Sequence, residues 1–314
     1  MATVVRSMTV PADVPASKRS TYEANFQLVT KGTGNLALFA GDQKVEHLND
    51  DFFGKTSQGP IAAEDNDPEH LFRIAQQGVV GCFAAQFGLV ARYGMDYADV
   101  PYLVKVNSKT HLIGTSIGDP RSRNWVTIEQ ILTLRDAGLK IAGVGYTVYP
   151  GSEFEGEQMA GAAQLCYEAH REGLLTVLWV YPRGKAVPNE RDAHLIAGCA
   201  GLAATLGADF CKVNYPKVSE GSVAKAFREA AQAAGRTRLI TAGGEGTDVR
   251  SFLQTLHDQI FISGAAGSAT GRNIHQKPLA EAVLMTKAIS SITYGGLSVD
   301  EAMAVYNGER DFSI

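Results

Sequence analysis

Eight short apolar runs, separated by stretches of helical periodicity, restrict this chain to very few architectures. The runs fall at residues 36–40, 79–84, 102–106, 140–148, 174–180, 208–215, 238–242 and 260–263. Residues 68–77, 127–137, 189–206, 219–233, 249–256 and 278–290 read as helices, with apolar positions such as Leu71, Ile74 and Ala75, or Ile196, Cys199, Ala200 and Ala203, on one face. Thr127 with Gln130 and Ser152 with Glu155 have capping-box spacing at two helix starts. Repeated strand–helix units predict a parallel sheet, and eight of them predict an α/β TIM (β/α)8 barrel. The rival is an open doubly wound sheet, but no glycine-rich dinucleotide fingerprint follows the first strand. Residues 1–35 are weakly patterned and read as an N-terminal arm with one short helix near 22–29, leaving 36–314 as a single catalytic barrel domain. The 48–67 stretch is a long Asp-, Gly- and Asn-containing loop, of a length that is usually functional or mobile.

Composition narrows the function classes. The 314 residues carry a net charge of −4 and no Lys/Arg block, which argues against nucleic acid and against an acidic membrane surface. Cys82, Cys166, Cys199 and Cys211 lie inside apolar runs without metal-ligand spacing, as expected of reduced core residues in a cytoplasmic protein. No apolar stretch is long enough to span a bilayer, and the segment with Pro11, Asp13 and Pro15 has no signal-peptide core.

In barrels of this kind chemistry sits at the C-terminal ends of the strands. Asp42, Lys105, Tyr146, Arg183, Lys212, Gly243, Gly244, Gly264 and Arg272 fall at such ends. Alternation places Phe210, Lys212 and Asn214 on one face and Cys211 and Val213 on the other. A parallel strand is covered on both faces, so Lys212 is expected to point into the barrel mouth. Poor solvation there lowers a lysine's pKa, and the free amine attacks carbonyls to form a Schiff base. Lys105 competes for that role, because the triplet Lys-Val-Asn occurs at both sites. Gly243 and Gly244 after the seventh run, and Gly264 after the eighth, with a helix start at Arg272, read as a phosphate pocket or, glycine by glycine, as tight turns. Asp42 reads either as a group that orients the lysine or as a cap. Tyr146 shares a face with Val144 and Val148 and reads as an acid/base phenol or as a packing residue, with Tyr149 its rival on the other face. Glu46 and His47 are adjacent, and no third residue at useful spacing makes them a metal site.

With these residues in place, the chain resembles the archaeal-type class I fructose-bisphosphate aldolases, a family that also includes related Schiff-base synthases and a thiolase. The resemblance covers roughly residues 36–290. It rests on Asp42-Gln43-Lys44-Val45-Glu46-His47, on Gly145 through Ser152, on Tyr181-Pro182-Arg183-Gly184, and on the glycines at 243–244, 264, 267 and 271 with Arg272-Asn273. It implies reversible cleavage of fructose 1,6-bisphosphate, a glycolytic and gluconeogenic lyase reaction. It implies Lys212 as the Schiff-base lysine, Asp42 as the nearby carboxylate and Tyr146 as acid/base. The substrate phosphate is expected on Gly243, Gly244, Gly264 and Arg272, with Arg183 and Lys105 as further binding residues. No metal or other cofactor is implied. The partner is a small phosphorylated sugar, and the assembly a homo-oligomer of five or ten copies. Two positions depart from the family pattern. Gln43-Lys44 replaces His-Gly, which puts an extra cation near the mouth, and Asn214-Tyr215-Pro216-Lys217 follows the lysine in place of the usual segment. The alternatives are a relative acting on another phosphorylated ketose and a non-catalytic phosphate-binding barrel.

Overall fold

The computed structural model describes residues 5–243 and 248–314. Eight parallel strands close into a barrel: β1 (Leu36–Ala40), β2 (Cys82–Gln86), β3 (Tyr102–Lys105), β4 (Ile141–Val148), β5 (Leu175–Val180), β6 (Phe210–Val213), β7 (Arg238–Ala242) and β8 (Gly267–Thr270). Closure comes at β1, which pairs Leu38 with Cys82 on one side and Leu36 with Gly267 on the other. Helices Glu69–Gln77, Ile128–Asp136, Glu155–Arg171, Ala193–Thr205, Val249–Phe261 and Leu279–Thr293 lie in the connections. The strands read as apolar runs because both of their faces are buried. Leu38, Leu103, Val177, Trp179, Phe210 and Ile240 fill the interior, while Phe39, Phe83, Val104, Tyr146, Cys211 and Val213 pack into the helix layer.

Two expectations from the sequence need correction. Residues 260–263 are not the eighth strand. The helix that begins at Val249 runs on to Phe261, burying Phe252, Leu253, Leu256 and Ile260 at helical spacing. The true β8 is Gly-Ser-Ala-Thr, without a bulky residue. Its size is dictated by its neighbour, since a Cβ on Gly267 would lie 2.1 Å from the Leu36 carbonyl oxygen. Close approach overrides β-propensity here. The second correction concerns capping. The box at Thr127 and Gln130 forms, whereas Ser152 donates to the Pro120 carbonyl at 2.8 Å and its helix begins at Glu155.

Residues before β1 close the N-terminal end of the barrel. In the helix Arg19–Thr30, Tyr22, Phe26 and Val29 join the same apolar cluster as Leu36 and Phe210. A polar network secures this floor. His170 contacts Asp13 Oδ2 at 2.9 Å through Nδ1 and Asp209 Oδ2 at 3.2 Å through Nε2. Tyr22 donates to the other oxygen of Asp209, and the Thr176 N–H and hydroxyl donate to Oδ2. Burial opposes charge on His170, but the hydrogen bonds and attraction from Asp209 and Asp13 outweigh it and raise its pKa from 6.5 to about 9. The imidazolium is therefore favoured in the folded state. Its stabilisation is fully present below about pH 6.5 and is lost as pH rises through about 9. At about 1.4 kcal/mol per pKa unit this is on the order of 3 kcal/mol. Denaturant midpoints measured between pH 6.5 and 9.5 are expected to fall more steeply for the parent chain than for His170→Asn. Equal slopes would remove His170 from the account.

Candidate active site

At the C-terminal mouth of the barrel a cleft of about 210 Å³ is lined by Asp42, Glu46, His47, Tyr181, Arg183, Lys212, Gly243 and Arg272, among others. Lys212 reaches it from β6, on the same side of the strand as Phe210 in the barrel interior, as alternation requires. Its Nζ lies 5.3 Å from the centroid of the Trp179 ring and makes no hydrogen bond with any described residue. Burial is the main cause that lowers its pKa. Asp42 and Glu46 pull the other way, while Lys105 and Arg272 add repulsion.

Lys105 is the second buried lysine of the mouth, and its surroundings differ. Its Nζ donates to Thr147 Oγ1 at 2.6 Å and to the Asn107 carbonyl at 3.3 Å, and lies 3.6 Å from Asp42 Oδ2. It sits 4.7 Å from the Trp179 ring centroid and does not line the cleft. The binding role expected for Lys105 is therefore corrected: its amine is held by Thr147 and the Asn107 carbonyl and lies outside the cleft lining. Asp42 follows β1 and starts the turn Gln43–Glu46, yet its side chain does not cap that turn. The carboxylate is only 3% exposed, and Oδ1 has no hydrogen-bond partner among the described residues. Asp42 thus pairs with Lys105, lines the cleft and acts by its charge on Lys212 as well.

The tyrosine expectation is also corrected. Tyr146 points away from the mouth into the helix layer, where a Cβ added to Gly161 would meet its hydroxyl at 2.7 Å. Tyr149 faces inward, beneath the Arg183 guanidinium at 5.8 Å, and does not line the cleft. The phenol that does is Tyr181, one residue past β5. Burial, with the carboxylates of Glu46 and Asp42, holds its pKa well above the ordinary value, so it rests protonated. The alternation that singled out Lys212 also identifies it, since Val177, Trp179 and Tyr181 share the inner face.

Polar groups line the two ends of the cleft. Gly243, Gly271 and Arg272 stand at the β7–β8 side. Gly271 permits close packing there, since a Cβ would come within 2.7 Å of the Ala40 carbonyl oxygen. Gly264 belongs elsewhere. It precedes β8, at the N-terminal end of the barrel, and its carbonyl accepts from Arg6 Nη2 at 2.9 Å. Reading 260–263 as the eighth strand places it at the wrong end. Gly244 lies outside the described residues. On the opposite side, Arg183 Nε is 3.2 Å from both carboxylate oxygens of Glu190, with Lys109, His111 and Arg191 close by. These last residues come from loops whose course no periodicity foretells. Lys44 is turned away from the cleft: it donates to the Asn66 carbonyl at 3.0 Å and lies 3.9 Å from the Phe52 ring centroid. No group of three or more His, Cys, Asp or Glu among the described residues forms a metal cluster. No described helix is long and apolar enough to cross a membrane.

Comparison with known proteins adds independent information. The profile described as DeoC/LacD family aldolase matches residues 36–277. A Methanocaldococcus jannaschii protein named fructose-bisphosphate aldolase/6-deoxy-5-ketofructose 1-phosphate synthase is 53% identical over 97% of this chain and 96% of its own length. The structure of a fructose-bisphosphate aldolase from Slackia heliotrinireducens superposes with a TM-score of 0.95 at 54% identity, covering 98% of this chain and 96% of that one. An archaeal fructose-1,6-bisphosphate aldolase, solved with its catalytic lysine covalently bound to the carbinolamine intermediate of the substrate, has a TM-score of 0.74 at 29% identity over 87% of this chain and all of the other.

Proposed function

The chain belongs to the DeoC/LacD family of aldolases, and on that premise we propose that it is a class I aldolase that cleaves fructose 1,6-bisphosphate reversibly through a Schiff base on Lys212. One observation carries the choice of lysine. Of the two buried mouth lysines, only Lys212 lines the cleft, and its amine has no hydrogen-bond partner among the described residues. Burial lowers the pKa of such an amine, which favours the neutral form with its lone pair available.

In this reading the neutral Lys212 amine attacks the C2 carbonyl, and loss of water leaves an iminium cation. The departing hydroxyl takes the Tyr181 proton as it leaves as water, and the iminium charge in the cleft that Tyr181 lines favours the resulting phenolate, offsetting the burial that keeps the free phenol protonated. Tyr181 then accepts the C4 hydroxyl proton as the C3–C4 bond breaks. The bonding pair moves into the iminium, which becomes an enamine, and glyceraldehyde 3-phosphate leaves. Protonation at C3 and hydrolysis release dihydroxyacetone phosphate and restore the amine. The iminium is the electron sink, so no resident cofactor enters the reaction. Asp42 stabilises the cationic intermediates, whereas Gly243 and Arg272 hold the C1 phosphate and Arg183 faces the far phosphate.

A second reading concerns the acceptor. The Methanocaldococcus jannaschii relative is named for two activities, the second yielding a ketose that bears a single phosphate. In this cleft Arg183 is already paired with Glu190, which lessens the demand for a second phosphate at that end. The test is borohydride reduction in the presence of dihydroxyacetone phosphate, followed by peptide mass spectrometry. A reduced adduct on Lys212 is expected, and an adduct on Lys105 would move the nucleophile. No adduct despite bound phosphate would favour a non-catalytic barrel. Rates with fructose 1,6-bisphosphate, fructose 1-phosphate and 6-deoxy-5-ketofructose 1-phosphate then separate the two acceptor readings.

A further inference from the structure

Residues 41–67 leave β1 and meet residues 272–277, which follow β8, at several points. Arg272 Nε lies 3.7 Å from Asp51 Oδ2. Gln276 Nε2 donates to the Asp51 carbonyl at 2.8 Å, and the Ala62 N–H donates to the Gln276 carbonyl at 3.0 Å. Within this junction His275 Nδ1 is 2.7 Å from Asp65 Oδ2, with both side chains 0% exposed. The His275 ring stacks on Phe52 at 4.7 Å and 9°, and His70 Nε2 contacts the His275 carbonyl at 3.0 Å.

As a source of stability this pair is poor. Asp65 Oδ1 and His275 Nε2 are both buried without a hydrogen-bond partner among the described residues. Two apolar side chains of similar volume fill such a space without that cost. A hydrogen bond does what an apolar contact does not: it fixes direction. His275 also ends the same short helical turn that Arg272 begins, so a movement of one carries the other.

We propose that the Asp65–His275 hydrogen bond is a positioning joint. It holds the turn bearing Arg272 against the segment bearing Asp42 and Glu46, and so keeps the Arg272 guanidinium in place at the phosphate end of the cleft. The proposal rests on the reading of Arg272 as a phosphate ligand. Asp65 and His275 line no part of the cleft, so their effect acts through Arg272. A loosened joint draws the Arg272 guanidinium away from the phosphate, which weakens phosphate binding and leaves the amine and the acid/base in place.

The experiment compares steady-state kinetics on fructose 1,6-bisphosphate, and competitive inhibition by inorganic phosphate, for His275→Leu, His275→Asn and Arg272→Ala. His275→Leu is expected to raise KM and the phosphate inhibition constant by about tenfold or more, with kcat within about threefold. His275→Asn retains an N–H near the Nδ1 position and is expected to recover most of the loss. Combining His275→Leu with Arg272→Ala is expected to add little to Arg272→Ala alone. If His275→Leu does not fold, Asp65→Asn with His275→Leu removes the buried charge together with its partner and is expected to show the same KM rise. Unchanged KM and phosphate inhibition in a folded joint variant, alongside a raised KM in Arg272→Ala, overturns the joint. Unchanged KM in Arg272→Ala itself overturns the phosphate reading instead.

Discussion

Lys212→Met is expected to lose aldolase turnover by roughly ten-thousandfold or more while the fold persists, because the other lysine lining the cleft, Lys109, donates to the Thr110 carbonyl at 2.7 Å and is not placed to replace the covalent nucleophile. The residual site keeps its phosphate-binding groups, so phosphate should still inhibit or bind. Two arguments separate this loss from unfolding. Methionine has nearly the same length and volume as the buried part of lysine, and it removes a poorly solvated ammonium that folding must otherwise accommodate. The Asp42 carboxylate keeps Lys105 at 3.6 Å and is not left as a lone buried charge. Activity, borohydride incorporation and the denaturation midpoint measured on one preparation decide the matter. Retained turnover in a folded Lys212→Met chain would exclude Lys212 as the nucleophile.

Tyr181→Phe is expected to slow carbon–carbon cleavage by about a hundredfold to ten-thousandfold, the usual worth of a positioned acid/base, while borohydride still traps dihydroxyacetone phosphate on Lys212. Tyr146→Phe is the matched comparison and should change turnover little, since its hydroxyl lies in the helix layer against Gly161. The phenylalanine change at 181 removes one oxygen from a ring otherwise held in the inner apolar cluster, so its effect on folding is small. Wild-type rates in Tyr181→Phe, together with slow rates in Tyr146→Phe, would reverse the assignment. Equal slowing in both would point to packing of the mouth as the common cause.

Much of this could be read from residue order alone. The barrel class follows from the repeated change of period between strand and helix, because a strand covered on both faces must be apolar throughout. The inward direction of Lys212 follows from alternation, which is a property of the backbone and needs no knowledge of neighbours. The same rule applied to Trp179 and Tyr181 identifies the cleft phenol, and applied to Val144, Tyr146 and Val148 it puts Tyr146 in the helix layer. The position of Gly243 at a strand's end was equally legible, and so was the capping box at Thr127.

Other features depended on contacts between residues distant in sequence. Nothing local distinguishes Lys105 from Lys212. The difference is Thr147, 42 residues from Lys105, whose hydroxyl accepts from that ammonium and leaves Lys212 as the amine without an acceptor. The eighth strand eludes propensity because it is Gly-Ser-Ala-Thr, with Gly267 pressed against β1, and reading 260–263 as that strand places Gly264 at the wrong end of the barrel. The junction of Asp65 with His275 spans 210 residues. Sequence determines periodicity and facing because each depends on bond geometry over a few residues. Which buried polar group finds a partner is decided only when the closed barrel brings remote segments within hydrogen-bonding distance.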